Sequence, residues 1–165
     1  MQHTPNPDGA MTEGPVPAEL ASNAVTVLQI YGNMTFAGAE TLESLLPSPK
    51  TAQRPVVILR LRAQEGIGSS FIGVLERYAQ QLKAHGGKLM VAGVNLKVKG
   101  QLDRTETTNE ILGKENVFMS STTLGASTHD AYAAAEQWLQ ERAESQNPLI
   151  NDTDSIGGHQ ARHAD

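Results

Sequence analysis

The sequence predicts an α/β domain: a mostly parallel β-sheet of about five strands with helices packed against it. Three observations carry that expectation. Pro55–Leu61 (PVVILRL) is the most apolar run and is apolar on both faces, as a central parallel strand must be. Gly66–Leu82 (GIGSSFIGVLERYAQQL) follows it with helical periodicity and is stopped by Gly86-Gly87. Lys88–Val94 (KLMVAGV) is a second strand-like apolar run. Strand, glycine-containing turn, amphipathic helix, glycine stop and strand make a βαβ unit, whose crossover is right-handed.

The remaining elements follow in order. Met1–Asn23 holds Pro5, Pro7, Pro15 and Pro17, has no sustained periodicity, and reads as a leader or linker. Val16–Leu20 could add a short edge segment. Val25–Tyr31 (VTVLQIY) alternates as a strand, with Val25, Val27, Gln29 and Tyr31 on one face and Thr26, Leu28 and Ile30 on the other. A turn is expected at Gly32-Asn33 and a short second strand at Met34–Phe36, giving one antiparallel strand near the amino end. Ala39–Leu46 has helix-forming composition, with Leu42, Leu45 and Leu46 inward, and Pro47 and Pro49 end it.

In the central helix Phe71, Leu75, Tyr78 and Leu82 recur at helical spacing, widened by Ile72 and Ala79. Burial of each large member contributes roughly 1.5–3 kcal/mol before the entropy cost. Asn95 is placed to cap a helix over Leu96–Asp103, weakened by Gly100. Thr107–Leu112 is a further helical turn ended by Gly113, and Asn116–Met119 a last short strand. Ser127 and Asp130 stand in capping-box spacing before a helix from about Thr128 to Glu144, with Tyr132, Ala135, Trp138 and Leu139 as its apolar side. Leu149–Asp165 reads as a flexible tail.

Composition bounds the function. A chain of 165 residues fits one domain with tails. There is no cysteine, so disulfides, thiolate catalysis and cysteine-ligated zinc are excluded. The net charge of −5 argues against nucleic acid as a partner. No apolar run approaches membrane-spanning length. Gly66, Gly68 and Gly73 fail the dinucleotide fingerprint because Phe71 stands where glycine is needed. Gly68-Ser69-Ser70 does not complete a nucleophile elbow, and no histidines sit at zincin spacing. Nothing gathers a general acid and a general base, so neither an enzyme nor a metal or cofactor is expected.

One candidate site remains. Arg60 and Arg62 lie at the carboxyl end of the central strand, beside a helix amino terminus bearing Ser69 and Ser70. Open α/β sheets place ligands at that edge, and exposed amides there favour a side-chain cap, an anion or a phosphoserine. Solvated arginines and a serine cap would explain the same residues.

The order of elements resembles the STAS domain, shared by anti-sigma-factor antagonists and the cytoplasmic tails of sulphate-permease-type (SulP) anion transporters. The resemblance covers roughly residues 25–139. Its marks are PVVILRL, then GSSFIGVLERY where the family has Asp-Ser-Ser/Thr-Gly, the passage HGGKLMVAGV, and LDRTETTNEILGKENVFMS. YGNMTFAGAETLESLL and GKENVF are most similar to the transporter branch; within it the sequence as a whole, rather than any one motif, is most similar to cyanobacterial bicarbonate transporters.

The resemblance implies a non-catalytic regulatory and dimerisation domain on the cytoplasmic face of a multi-pass anion transporter for bicarbonate or sulphate. Residues 1–23 would then be the linker from the membrane domain, 24–144 the STAS domain and 145–165 a flexible tail. Its partners would be that membrane domain and a second tail, with weak nucleotide binding as an option. The exposed edge of a short amino-terminal strand, with Val16–Leu20, would serve as the pairing surface. Ser69 matches the family's phosphorylated serine, but Gly68 and Phe71 replace the motif's aspartate and glycine. Two alternatives are a free anti-sigma-factor antagonist switched at Ser69, and a nucleotide or small-anion sensor using Arg60, Arg62, Ser69 and Ser70.

Overall fold

The computed structural model describes residues 1–5, 11–32, 36–62 and 64–145. They form one six-stranded sheet with helices on both faces. The strands are β1 (Gln2–Pro5), β2 (Met11–Gly14), β3 (Val25–Gln29), β4 (Val56–Arg60), β5 (Lys88–Val94) and β6 (Val117–Met119), in the spatial order β2-β1-β3-β4-β5-β6. β3 to β6 are parallel, and β1 is antiparallel to both β2 and β3. The helices are α1 (Phe36–Leu45), α2 (Ser69–Ala84), α3 (Leu96–Arg104) and α4 (Ala126–Glu144), with a π-helical turn at Thr107–Leu112.

The alternation of β4 divides the core. Val57, Leu59 and Leu61 pack with Phe71, Leu75, Tyr78 and Leu82 of α2, and with residues of α1 and α3. Val56 and Ile58 face the other way, onto Ala131 and Ala135 of α4, flanked by Tyr132, Trp138 and Leu139. Both apolar stripes read from the sequence therefore pack against the sheet, on opposite faces.

β5 changes phase midway. Leu89 and Val91 face the three-helix layer and Met90 and Ala92 face α4, yet Val94 returns to the layer of Val91. The register slips between Ala92 and Val94, and Gly93 sits there at φ +75°. A side chain at Gly93 would stand 2.9 Å from the Cβ of Arg62 and 3.0 Å from its backbone nitrogen, so the bulge requires glycine on both counts.

Several expectations are corrected. The stretch without periodicity before Asn23 contributes β1 and β2, because a hairpin at the sheet edge needs backbone pairing more than an apolar stripe. β1 covers the edge of β3, and Leu20 and Ala18 bond through their backbones to Ser48, so neither the β3 edge nor residues 18–20 are free for pairing. The outer strands among the described residues are β2 and β6.

Phe36 opens α1 rather than closing a strand, while Asn33, Met34 and Thr35 lie outside the described residues, as does Leu149–Asp165. Leu42 and Leu46 pack inward, but Leu45 is 62% exposed. Ser127 is no cap: α4 starts from Gly125, which puts Ser127 inside its first turn and buries it. Asn95 caps α3 as expected, its Oδ1 accepting from the amide of Val98 at 2.8 Å.

Candidate functional site

The segment between β4 and α2 is fixed by three side-chain amides. Gln64 is buried and donates through Nε2 to the carbonyl of Gly32 at 3.0 Å. Asn95 donates through Nδ2 to the carbonyl of Gln64 at 2.9 Å while its other amide atom caps α3. Gln101, six residues further on, accepts from the amide of Ile67 at 2.9 Å and donates to its carbonyl. Ile67 is buried beneath this clamp. These bonds pair the amide and carbonyl of Ile67 and the carbonyl of Gln64 before the chain enters α2.

α2 begins at Gly68, an N-cap without a side chain, and its first turn holds no acidic residue. Ser69 and Ser70 follow as its first two helical residues, so neither is the cap that the sequence suggested. Ser69 is exposed and Ser70 half-buried. The first-turn amides and the positive end of the helix dipole therefore face outward beside Ser69. Lys97 lies beside the preceding loop: its Nζ is 3.5 Å from the position a Cβ would take at Gly66.

Arg60 is not part of this edge. It shares the face of Ile58, toward α4, whereas α2 packs on the face of Leu59. Its Nη1 reaches 3.1 Å to Nδ1 of His3 on β1. Burial lowers the Arg60 pKa, and its Nε has no hydrogen-bond partner. Arg62 is exposed, with its backbone against Gly93. The four residues grouped from the sequence thus separate: Ser69 and Ser70 on α2, and Arg60 across the sheet against the hairpin. Gln64, Gln101 and Lys97 belong to the loop and were not singled out. Their spacing carries no motif, and a buried glutamine has no sequence signature.

Two cavities flank the sheet. One, of about 450 Å³, is apolar and runs between the end of β3 and α1, lined by Leu28, Ile30, Tyr31, Leu42, Leu45 and Leu46. The other, of about 440 Å³, is polar and includes Lys83, Lys88, Glu110, Asn116, Trp138 and Arg142. There Lys88 and Arg142 lie 4.6 and 4.4 Å from the centre of the Trp138 ring, a cation–π pair that ties α4 to β5. No metal-binding group of histidine and carboxylate side chains occurs among the described residues. None of their helices is long and apolar enough to cross a membrane.

Residues 18–124 match the STAS domain family. The chain is a STAS domain protein. The match begins before β3 and ends just before α4, so it takes in the parallel sheet and the Ser69 loop. Among solved structures, this STAS domain is similar to a sulfate transporter family protein from Wolinella succinogenes, at 25% identity and a TM-score of 0.58, over 78% of this chain and 99% of that one.

It is also similar in fold to the murine solute carrier 26 family member A9 anion transporter in its inward-facing state, at 15% identity and a TM-score of 0.55. That match covers 68% of this chain but 18% of the murine protein, so the STAS domain here spans less than a fifth of that relative. The STAS domain of a SulP transporter from Vibrio cholerae matches at 26% identity and a TM-score of 0.47, over 79% of this chain and 88% of that one. No curated protein matches this STAS domain in sequence.

Proposed function

We propose that this STAS domain is the non-catalytic regulatory and dimerisation domain of a SulP-type anion transporter, held at the cytoplasmic face of the membrane. The observation that carries the reading is the likeness to the Wolinella succinogenes protein, which runs over 99% of that chain at 25% identity. Its partners are its own membrane domain and a second copy of the tail. The anion is bicarbonate or sulphate; overall similarity to cyanobacterial bicarbonate transporters, rather than any motif, favours the first. The choice between them would lie in the membrane part. A net charge of −5 supports protein contacts over nucleic acid.

Regulation would act at Ser69. A phosphate on this exposed side chain would meet the open first turn of α2, a setting that favours a dianion. A free anion or a weakly held nucleotide would use Ser69 and Ser70 on the same grounds, without Arg60. Cross-linking in native membranes tests the main reading. Cross-links from this domain to a multi-pass segment of the same polypeptide are expected, whereas recovery as a free soluble protein would overturn it. Phosphopeptide mapping at high and low anion supply tests Ser69, and an unmodified serine under both regimes would remove the switch.

A further inference from the structure

We infer that His3 is a proton-sensitive latch: as a neutral imidazole it fastens the β1–β2 hairpin to the parallel sheet, and its protonation lets the hairpin go. The hairpin needs a fastening. β1 meets β3 in register at only two residue pairs, Gln2 with Leu28 and His3 with Val27. A backbone bond of 2.9 Å from the amide of Gln29 to the carbonyl of Met1 extends this pairing, and the side chain of His3 adds a tie that runs across the strands. It is 6% exposed and lies between charges of opposite sign on two other strands. Arg60 of β4 approaches its Nδ1 at 3.1 Å, and Glu13 of β2 stands 3.3 Å from its Nε2. Tyr31, just beyond β3, donates to the same Glu13 oxygen at 2.9 Å. The row Arg60, His3, Glu13, Tyr31 links the hairpin to β4 and to the end of β3.

The chemistry of the row fixes where a proton can enter. A guanidinium only donates, so Nδ1 must accept and the imidazole hydrogen sits on Nε2, toward Glu13. A second proton has to be added at Nδ1, which faces the guanidinium. That addition removes the acceptor of Arg60 and sets two cations together in a buried place. The row has little to absorb the change, since Nε2 makes no well-formed hydrogen bond and Nε of Arg60 has none.

Every charged side chain that bears on His3 enters the balance. Burial and then Arg60 disfavour the imidazolium and Glu13 favours it; the net effect lowers its pKa below 6.5. Tyr31, Arg62 and Glu13 act in turn on Arg60. The released hairpin binds a proton more readily than the docked one. Fastening is therefore complete above the free-imidazole value of 6.5 and is lost as pH falls below it. Release would uncover the edge of β3, whose unpaired backbone groups could then take another strand.

Hydrogen exchange of the full chain, corrected for intrinsic rates and read at about pH 7.5 and about pH 5.5, tests the latch. Amides of β1 and β2 should exchange several-fold faster at the acid pH while those of β4 and β5 do not change. His3→Gln keeps an acceptor but cannot titrate, and its hairpin should be equally protected at both pH values. Equal protection of the wild-type hairpin at both, or the same acid loss in H3Q, overturns the inference. Should H3Q fail to dock the hairpin at all, the wild-type imidazole decides. An Nε2–H tautomer titrating together with hairpin release supports the latch, and titration apart from release overturns it.

Discussion

The hydroxyl of Tyr78, midway along α2, donates a hydrogen bond of 2.8 Å to the carbonyl of Pro47, where the chain leaves α1. Tyr78 is 4% exposed, so this bond both satisfies a buried phenol and ties the two helices on one face of the sheet. Tyr78→Phe should lower stability by about 1 kcal/mol, with the carbonyl of Pro47 left unpaired. Denaturant unfolding of the two proteins measures it.

The same burial raises the Tyr78 pKa well above its usual 10.0. The folded state therefore holds the phenolic proton where the unfolded state releases it. Its contribution is present below pH 10.0 and falls as pH rises above that value. Y78F should unfold less steeply than wild type between about pH 10 and about pH 11, a difference read from unfolding midpoints against pH.

Gly93→Ala combines a left-handed backbone with a contact of 2.9 Å to Arg62. Strain of about 1–3 kcal/mol is expected before the clash is added. The phase change in β5 gives a second readout. Losing the bulge would turn Val94 out of the layer of Val91, and protection of its amide should fall along with global stability.

Asn95→Ala removes one side chain from two tasks, the α3 cap and the hold on Gln64. The cap alone is worth about 1 kcal/mol. Loss of the second contact should raise exchange at Gly66–Ser70, which Gln101→Ala should also do without touching the cap. Faster exchange confined to α3 in N95A would show that the amide clamp does not order the Ser69 loop.

Leu45 offers a contrast with the other leucines of α1. At 62% exposure, Leu45→Ser should change stability by no more than about 0.5 kcal/mol, while Leu42→Ser should cost several times that. Thermal unfolding of both variants distinguishes an exposed rim from a packed face.

The parts of the fold legible in the sequence are those where burial imposes a period. β4, α2 and β5 are read from PVVILRL, the spacing of Phe71 to Leu82, and KLMVAGV because each has a buried face or is buried on both. β1 and β2 follow no such rule: His3 is buried as the hydrogen-bond partner of Arg60, Thr12 and Glu13 are exposed, and their order comes from pairing along an edge. Leu45 shows the limit of periodicity, since a helix over the rim of a groove leaves part of its stripe uncovered. Ser127 shows the limit of capping rules, because a glycine at φ +83° starts the helix before the serine is reached.

The candidate site was legible in part for a similar reason. Ser69 and Ser70 fall at the α2 amino end because strand and helix lengths place them there. Arg60 was assigned to the wrong neighbourhood because alternation along β4 sends its side chain to the α4 face. Only the tertiary pairing of β1 supplies His3 as its partner.

The central claim is that this domain works on a transporter by contact. Anion flux in liposomes, measured for the full transporter with and without this domain at matched protein density, tests it most directly. The account predicts a changed rate or weakened dimer without the domain, with unchanged selectivity among bicarbonate, sulphate and chloride. Equal flux and equal oligomeric state in both preparations would contradict it.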